Sequence, residues 1–135
     1  MDIQRIDPPD RELLDRAKAI IAQRQSKISS VGCALRTTTG KVFEGVNLDS
    51  IHSGPCSSCA EFSAIGTMHT EGDYEIESIV AVLSDGIILP PCGRCRELIR
   101  QFGNPYVILQ QDGQPIKVRL DELIPHWRSE AAWDT

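Results

Sequence analysis

The spacing of apolar residues along the chain predicts a helix, a hairpin and a buried strand in its first half. From Asp10 to Gln25, apolar side chains recur every three or four residues, which is typical of an amphipathic helix. The runs from Val31 to Thr38 and from Lys41 to Val46 are separated by Thr39-Gly40, so they predict two strands joined by a tight turn. Residues 76–83, IESIVAVL, are almost all apolar and indicate a strand buried on both faces.

The second half of the chain alternates in the same way. A helix is predicted to begin at Ser57 or Ser58 and to end near His69, and a third helix to run from Pro90 to about Phe102. Strands are predicted from Tyr106 to Gln110 and from Ile116 to Leu120. Because strands alternate with helices from residue 31 onward, we expect one α/β domain over residues 1–135, with three layers, α/β/α, around a mixed sheet.

Composition and charge narrow the class of partner. The chain has 135 residues, a formal net charge of -5 and a sequence pI near 5.1, whereas binding to nucleic-acid phosphates needs a basic surface. We therefore expect a small-molecule partner and no nucleic acid. The acidic amino terminus does not resemble a signal peptide, and no apolar run is long enough to span a membrane, so we expect a cytoplasmic protein. Five cysteines, an odd number, favour metal binding or reactive thiols over disulfides in that compartment.

Two cysteine motifs allow two interpretations. Residues 56–61 are CSSCAE and residues 90–95 are PPCGRC. If Cys56 joins Cys59, Cys92 and Cys95, four thiolates close around one zinc ion, and the chain is a zinc-stabilised binding module without an open coordination position. If Cys56 is a loop residue, three thiolates hold the metal and leave a position open for chemistry.

Glu61 also allows two interpretations. Ser58-Cys-Ala-Glu61 fits a capping box, in which the glutamate bonds back to the first residue of a helix. Glu61 together with a Pro-Cys-x-x-Cys motif is instead similar to the zinc deaminase signature, in which the glutamate moves protons. The second interpretation predicts that Cys59, Cys92 and Cys95 lie at helix amino termini, where partial positive charge lowers the pKa of thiols.

Three longer segments resemble the cytidine deaminase family, in its all-cysteine form. They are residues 31–47 (VGCALRTTTGKVFEGVN), 59–66 (CAEFSAIG) and 90–99 (PPCGRCRELI). The resemblance implies a five-stranded sheet, a homotetramer, and one zinc ion held by Cys59, Cys92 and Cys95 with water in the fourth position. It also implies hydrolytic loss of ammonia from an amino-pyrimidine, with Glu61 as base and then acid.

The resemblance also assigns substrate contacts and leaves the substrate open. Asn47 and Asp49 take the place of an Asn-x-Glu pair that grips the ribose hydroxyls, and Asp49 is one methylene shorter. Phe62 and Arg94 together resemble the corresponding residues of blasticidin S deaminase. In this chain, Arg94 is then expected to offset the thiolate charge. The substrate is then cytidine, deoxycytidine, a modified cytosine nucleoside, a free base or another amino-heterocycle. The remaining expected substrate contacts are Phe43 below the pocket, Ala60, and Trp133 from a neighbouring subunit.

Overall fold

In the computed structural model, which describes residues 1–127, a mixed β-sheet lies between helices on both of its faces. This confirms the predicted three-layer α/β/α fold. Five strands have five to eight residues, as predicted, and two further strands have only two residues each, so the predicted count of five is too low. Two residues are too few to show any periodicity in a sequence. The strands are β1 (Gln4–Arg5), β2 (Val31–Thr37), β3 (Val42–Val46), β4 (Ile76–Leu83), β5 (Ile88–Leu89), β6 (Tyr106–Gln111) and β7 (Gln114–Arg119).

The strand order places the most apolar strand near the centre of the sheet. The order is β1-β7-β6-β4-β2-β3, and β5 pairs with the end of β4 beside β6. Strands β4 and β6 are parallel, and every other pair among the described residues is antiparallel. Strand β4 is buried along almost its whole length, which agrees with the apolar run of residues 76–83.

Three helices cover the two faces of the sheet. They are α1 (Pro8–Arg24), α2 (Ala60–Thr70) and α3 (Gly93–Arg100). Helix α1 packs on one face through Leu13, Ala17 and Ile21, which form a core with Ala34 and Val80. Helices α2 and α3 pack on the opposite face, where a second core forms. This second core includes Cys33, Leu35, Ala60, Ala64, Ile79, Cys95 and Ile99.

Helices α2 and α3 both begin later than the sequence predicts. The residue that caps α2 is Cys59, not Ser57 or Ser58, and the residue that caps α3 is Cys92. Serine is a favoured capping residue, which explains the predicted start, but it is the cysteines that occupy the positions next to the free N–H groups. None of the helices within residues 1–127 combines the length and apolar character needed to cross a lipid bilayer.

Two glycines allow helices to approach the sheet closely, one on each face. A Cβ atom at Gly32 on β2 would lie 2.4 Å from the carbonyl oxygen of Ala17 in α1. A Cβ atom at Gly45 on β3 would lie 2.4 Å from the backbone nitrogen of Ala64 in α2. Both distances are too short for real contacts, so the spacing of the layers depends on these two residues.

Candidate metal centre and pocket

Three cysteine thiols meet where helices α2 and α3 begin. The Sγ atoms of Cys59, Cys92 and Cys95 lie within 4.8 Å of one another. Among the Cys, His, Asp and Glu side chains of residues 1–127, this is the only group of three or more that lies so close together. In tetrahedral coordination with zinc–sulfur bonds of about 2.3 Å, neighbouring sulfur atoms are about 3.8 Å apart. The three cysteines therefore fit one zinc ion.

The sequence predicted a lowered pKa for all three thiols, but only Cys92 has one. Burial raises the pKa of Cys92, but hydrogen bonds from the backbone N–H groups of Cys95 and Arg94 and from the neighbouring thiols outweigh it, and the net shift is downward. Burial raises the pKa of Cys59 and of Cys95, with the negative charge of Glu61 adding to it. The three neighbouring thiols therefore hinder one another's deprotonation, and a bound divalent cation stabilises their thiolate forms.

Cys56 is not part of this group. It is exposed and ends a short 3-10 turn, Gly54–Cys56, ahead of α2. Its sulfur does not join the cluster of Cys59, Cys92 and Cys95. The interpretation of CSSC…CGRC as a closed four-cysteine site therefore finds no support in the structure. Cys33, the fifth cysteine, is fully buried in β2.

Glu61 lies beside the cysteines and is almost completely buried, with 6% of its surface exposed. Burial raises its pKa, while hydrogen bonds from its own backbone N–H and from the Cys95 thiol act in the opposite direction. Because Cys59 is the capping residue, Glu61 is the second helical residue and not the third. Of the two interpretations of Glu61, the capping box with Ser58 is therefore not formed, and the carboxylate lines the pocket.

The pocket beside the cysteines has a volume of about 240 Å³. Asn47, Asp49 and Ala60, three of the predicted substrate contacts, line it together with Glu61. Phe43 does not line it and packs half-buried against the core under α2. Trp133 lies outside the described residues. The lining also includes residues that the sequence analysis did not select, namely Val31, Ser57, Ser58, Leu89 and Pro90.

Some of these additional residues had a usable signal in the sequence. Ser57 and Ser58 directly precede Cys59, and Pro90 directly precedes the Pro-Cys-x-x-Cys motif. Leu89 belongs to the short strand β5, which brings it to the pocket. Val31 is the first residue of β2, and nothing in the sequence distinguishes it from an ordinary strand residue.

Hydrogen bonds fix Asn47 and Asp49 at the pocket wall. The Asn47 Oδ1 atom accepts from the backbone N–H groups of Ser30 and Val31 at 2.7 and 2.8 Å. Its Nδ2 atom donates to Asp49 Oδ1 at 3.1 Å. Leu48, which lies between them, exchanges two backbone hydrogen bonds of 2.9 Å with Ser58. The segment 47–49 is thereby held in fixed register with the start of α2.

Arg94 is exposed and lies over an aromatic ring from the other metal-bearing helix. Its guanidinium carbon is 4.5 Å from the centroid of the Phe62 ring. The side chain thus joins α3 to α2 by a cation–π contact. Its backbone N–H also contributes to the lowered pKa of Cys92.

Comparisons with known proteins agree with this geometry. The family model described as the cytidine and deoxycytidylate deaminase zinc-binding region matches residues 8–111. The chain is 33% identical to blasticidin-S deaminase of Bacillus cereus over 130 residues, which cover 89% of this chain and 92% of that protein. It is 31% identical to cytidine deaminase of Halalkalibacterium halodurans over 129 residues, with 86% and 92% covered. The crystal structure of cytidine deaminase from Mycobacterium leprae superposes with a TM-score of 0.77 at 26% identity and covers 89% of this chain and 100% of that one.

Proposed function

The chain belongs to the cytidine and deoxycytidylate deaminase family, and from this premise we propose that Cys59, Cys92 and Cys95 hold its zinc ion while Glu61 carries protons. The reaction is the hydrolysis of the 4-amino group of a cytosine nucleoside, which gives a carbonyl and ammonia. The observation that carries the proposal is the position of a buried carboxylate beside three clustered thiols in one pocket.

The proton transfers follow from the position of Glu61. When bound, zinc supplies a nucleophile at neutral pH, because its charge lowers the pKa of water. Glu61 accepts the proton that the attacking water releases and donates it to the ring nitrogen next to the reacting carbon. Glu61 then takes up the second proton of that water and delivers it to the departing amine. Burial raises the pKa of Glu61, which suits a group that must both accept and release a proton.

The other pocket residues position the substrate. Asn47 and Asp49, which line the pocket, bind the sugar hydroxyls, and Ala60, which lines it between Cys59 and Glu61, contacts the base. Phe43 supports this wall from the core. Trp133 is assigned to the base as a stacking residue. Arg94 offsets the single negative charge that three thiolates leave on a bound zinc ion, from its place over Phe62.

We further propose a homotetramer that works in the cytoplasm in pyrimidine salvage. Apolar side chains around the pocket mouth support assembly, because single exposed leucine or isoleucine residues are common but a group beside a site marks an interface. Leu48, Ile51 and Ile87 are 49%, 79% and 47% exposed. Leu48 and Ile51 belong to the loop after β3 that carries Asp49 and Ser57, and Ile87 directly precedes β5, which carries Leu89.

A second candidate is a blasticidin S deaminase, which acts on a modified cytosine nucleoside. The contact between Phe62 and Arg94 and the 33% identity over 89% of the chain favour it. The two candidates are distinguished by turnover of cytidine, deoxycytidine and blasticidin S on one purified sample. Consumption of blasticidin S alone would reject the cytidine enzyme.

The proposed roles predict that substitutions of Glu61 and Cys56 have opposite effects on turnover. Glu61→Gln should abolish ammonia release from cytidine and keep one zinc ion per chain, because the amide cannot carry the proton but no ligand is lost. Cys56→Ser should keep both zinc and turnover, because Cys56 is not a ligand. Zinc content by atomic emission and ammonia release are measured on the same samples. Retained activity in Glu61→Gln, or loss of zinc in Cys56→Ser, would contradict the assignment.

A further inference from the structure

Arg96 holds both peptide groups that flank the proposed zinc ligand Cys92. It lies on α3 directly after Cys95. Its side-chain Nε atom donates to the Pro91 carbonyl oxygen at 2.8 Å, and its backbone N–H donates to the Cys92 carbonyl oxygen at 2.9 Å. The first carbonyl belongs to the peptide group before Cys92 and the second to the peptide group after it. One residue thus restrains the backbone on both sides of this cysteine.

The guanidinium of Arg96 also reaches the last part of the described chain. Its Nη1 atom donates to the Leu123 carbonyl oxygen at 3.0 Å. Leu123 is itself held, because its backbone N–H donates to the Leu120 carbonyl oxygen at 2.8 Å and its side chain packs against the second core. Leu120 is fully buried. Arg96 therefore ties the segment before Cys92 to a turn that the core fixes in place.

The hydrogen bonds of Arg96 indicate a geometric role and not charge pairing. No carboxylate within residues 1–127 forms an ion pair with Arg96, and both of its side-chain hydrogen bonds go to backbone carbonyl oxygens. A guanidinium presents its donors in a rigid planar fork, so it can hold two carbonyl groups in a fixed relation. Cys92 needs such support, because it is exposed and lies between β5 and α3, outside the strand pairs of the described residues.

We propose that Arg96 is a positioning residue for the metal centre, which raises the affinity for zinc by holding Cys92 ready for coordination. A ligand whose backbone is already fixed loses less conformational freedom when the metal binds. Residues that orient metal ligands typically change metal affinity by about 10–100-fold. The inference rests on the proposed function, because it takes Cys59, Cys92 and Cys95 as the zinc ligands. It adds a residue that lies outside the pocket lining.

Release of zinc from the loaded protein tests the proposal. Wild type, Arg96→Met and Arg96→Lys are loaded with Zn²⁺ alone, and the rate of zinc release to a chromogenic chelator is measured at neutral pH. Circular dichroism checks that each protein is folded. Arg96→Met keeps an apolar stem and removes every side-chain donor, so zinc release should be about tenfold faster than in wild type. Arg96→Lys keeps the charge but has no planar fork, so its release rate should lie between those two.

Arg100→Met is the matched control on the same helix. The Arg100 side chain also donates to a backbone carbonyl oxygen, that of Gly103 at 3.0 Å, but no cysteine adjoins Gly103. The substitution removes the same charge from α3, and zinc release should stay within about twofold of wild type. Urea denaturation of the zinc-free proteins measures the cost of each substitution to the fold. A merely structural role of Arg96 would lower that stability and leave zinc release from folded protein unchanged.

The outcomes distinguish the inference from the proposed function. Zinc release from folded Arg96→Met at the wild-type rate would overturn the inference and leave the deaminase function standing. Equally fast release from Arg100→Met and Arg96→Met would do the same, because charge would then be responsible. If Arg96→Met does not fold, Arg96→Lys decides: faster release supports the inference, and an unchanged rate overturns it. A wild type that binds no zinc and turns over no cytidine would overturn the proposed function and the inference together.

Discussion

At the scale of the single residue, burial of Glu61 sets the pH range in which the site can work. Burial raises its pKa above the ordinary value of 4.5, and the carboxylate form is needed to accept a proton from water. Activity should therefore fall as pH drops through a value above 4.5. The check is kcat/KM for cytidine between pH 4 and pH 8, with circular dichroism at each pH to show that the protein stays folded. An acidic limb at or below 4.5 in folded protein would contradict the role of Glu61.

The sequence predicted the chemistry of individual residues better than their local geometry. The two cysteine motifs limited the candidate ligands to four thiols, and the resemblance to the deaminases selected Cys59, Cys92 and Cys95, which the structure brings together. The helix start could not be predicted, because Ser58 is a better capping residue than Cys59. The hydrogen bonds between Asn47 and Asp49 depend on the pairing of Leu48 with Ser58, which joins segments ten residues apart.

At the scale of elements, the close packing of α2 on β3 places Cys59 and Glu61. Gly45→Ala should destabilise the fold by roughly 1–3 kcal/mol, because its Cβ would meet the backbone of Ala64 and Ala60 and push α2 outward. The same shift should lower kcat for cytidine. Chemical denaturation and steady-state kinetics measure the two effects.

Gly66→Ala is the matched control for that prediction. Gly66 is exposed in the same helix, and an added Cβ there meets no atom within 4 Å among the described residues. Alanine should therefore stabilise the helix by about 0.5–1 kcal/mol and leave kcat unchanged. Equal effects of the two substitutions would show that α2 is not positioned by its contact with Gly45.

Elements were predicted where the apolar pattern was long. Strand β4 begins and ends where residues 76–83 predicted it, since six of its eight residues are apolar. Strand β5 was missed, and with it the reason that Leu89 reaches the pocket, because a two-residue strand exists only through its pairing with β4. Asp112 and Gly113, which join β6 to β7, both have the positive φ that a two-residue hairpin turn needs.

At the scale of the whole molecule, one end of the sheet forms the pocket and the other end holds a buried charge network. Val31, at the start of β2, lines the pocket beside the cysteines, whereas Arg36, near the end of that strand, belongs to a buried charge network. Val31 and Arg36 are five residue steps apart along the strand, a distance of about 17 Å. In that network Asp10, which is fully buried in α1, accepts from Lys117 Nζ at 2.7 Å and from Arg36 Nη2 at 3.2 Å. The network joins α1 to β2 and β7.

Substitutions in this charge network, at the end of the sheet away from the pocket, should therefore change stability and leave catalysis unchanged. Lys117→Met should lower the free energy of unfolding by about 3 kcal/mol at neutral pH, because it leaves the buried Asp10 carboxylate with Arg36 as its one cation and the backbone N–H of Asp7 as its other donor. Its kcat/KM for cytidine should equal that of wild type at temperatures where both are folded. Lys18→Met, an exposed position on α1, serves as the control and should change stability by less than about 0.5 kcal/mol.

The pH dependence of that difference gives a further check. Burial lowers the pKa of Lys117, but hydrogen bonds and charge from Asp10 and Asp7 outweigh it and raise the pKa above 10.5. A raised pKa means that the stabilisation by Lys117 is fully present below 10.5 and is lost as pH rises through the higher folded value. The difference between wild type and Lys117→Met in urea denaturation should therefore stay constant from pH 7 to about pH 10 and decrease above it. A difference that already shrinks below pH 9 would contradict the raised pKa of Lys117. A changed KM for cytidine in Lys117→Met would mean that this network and the pocket are not independent.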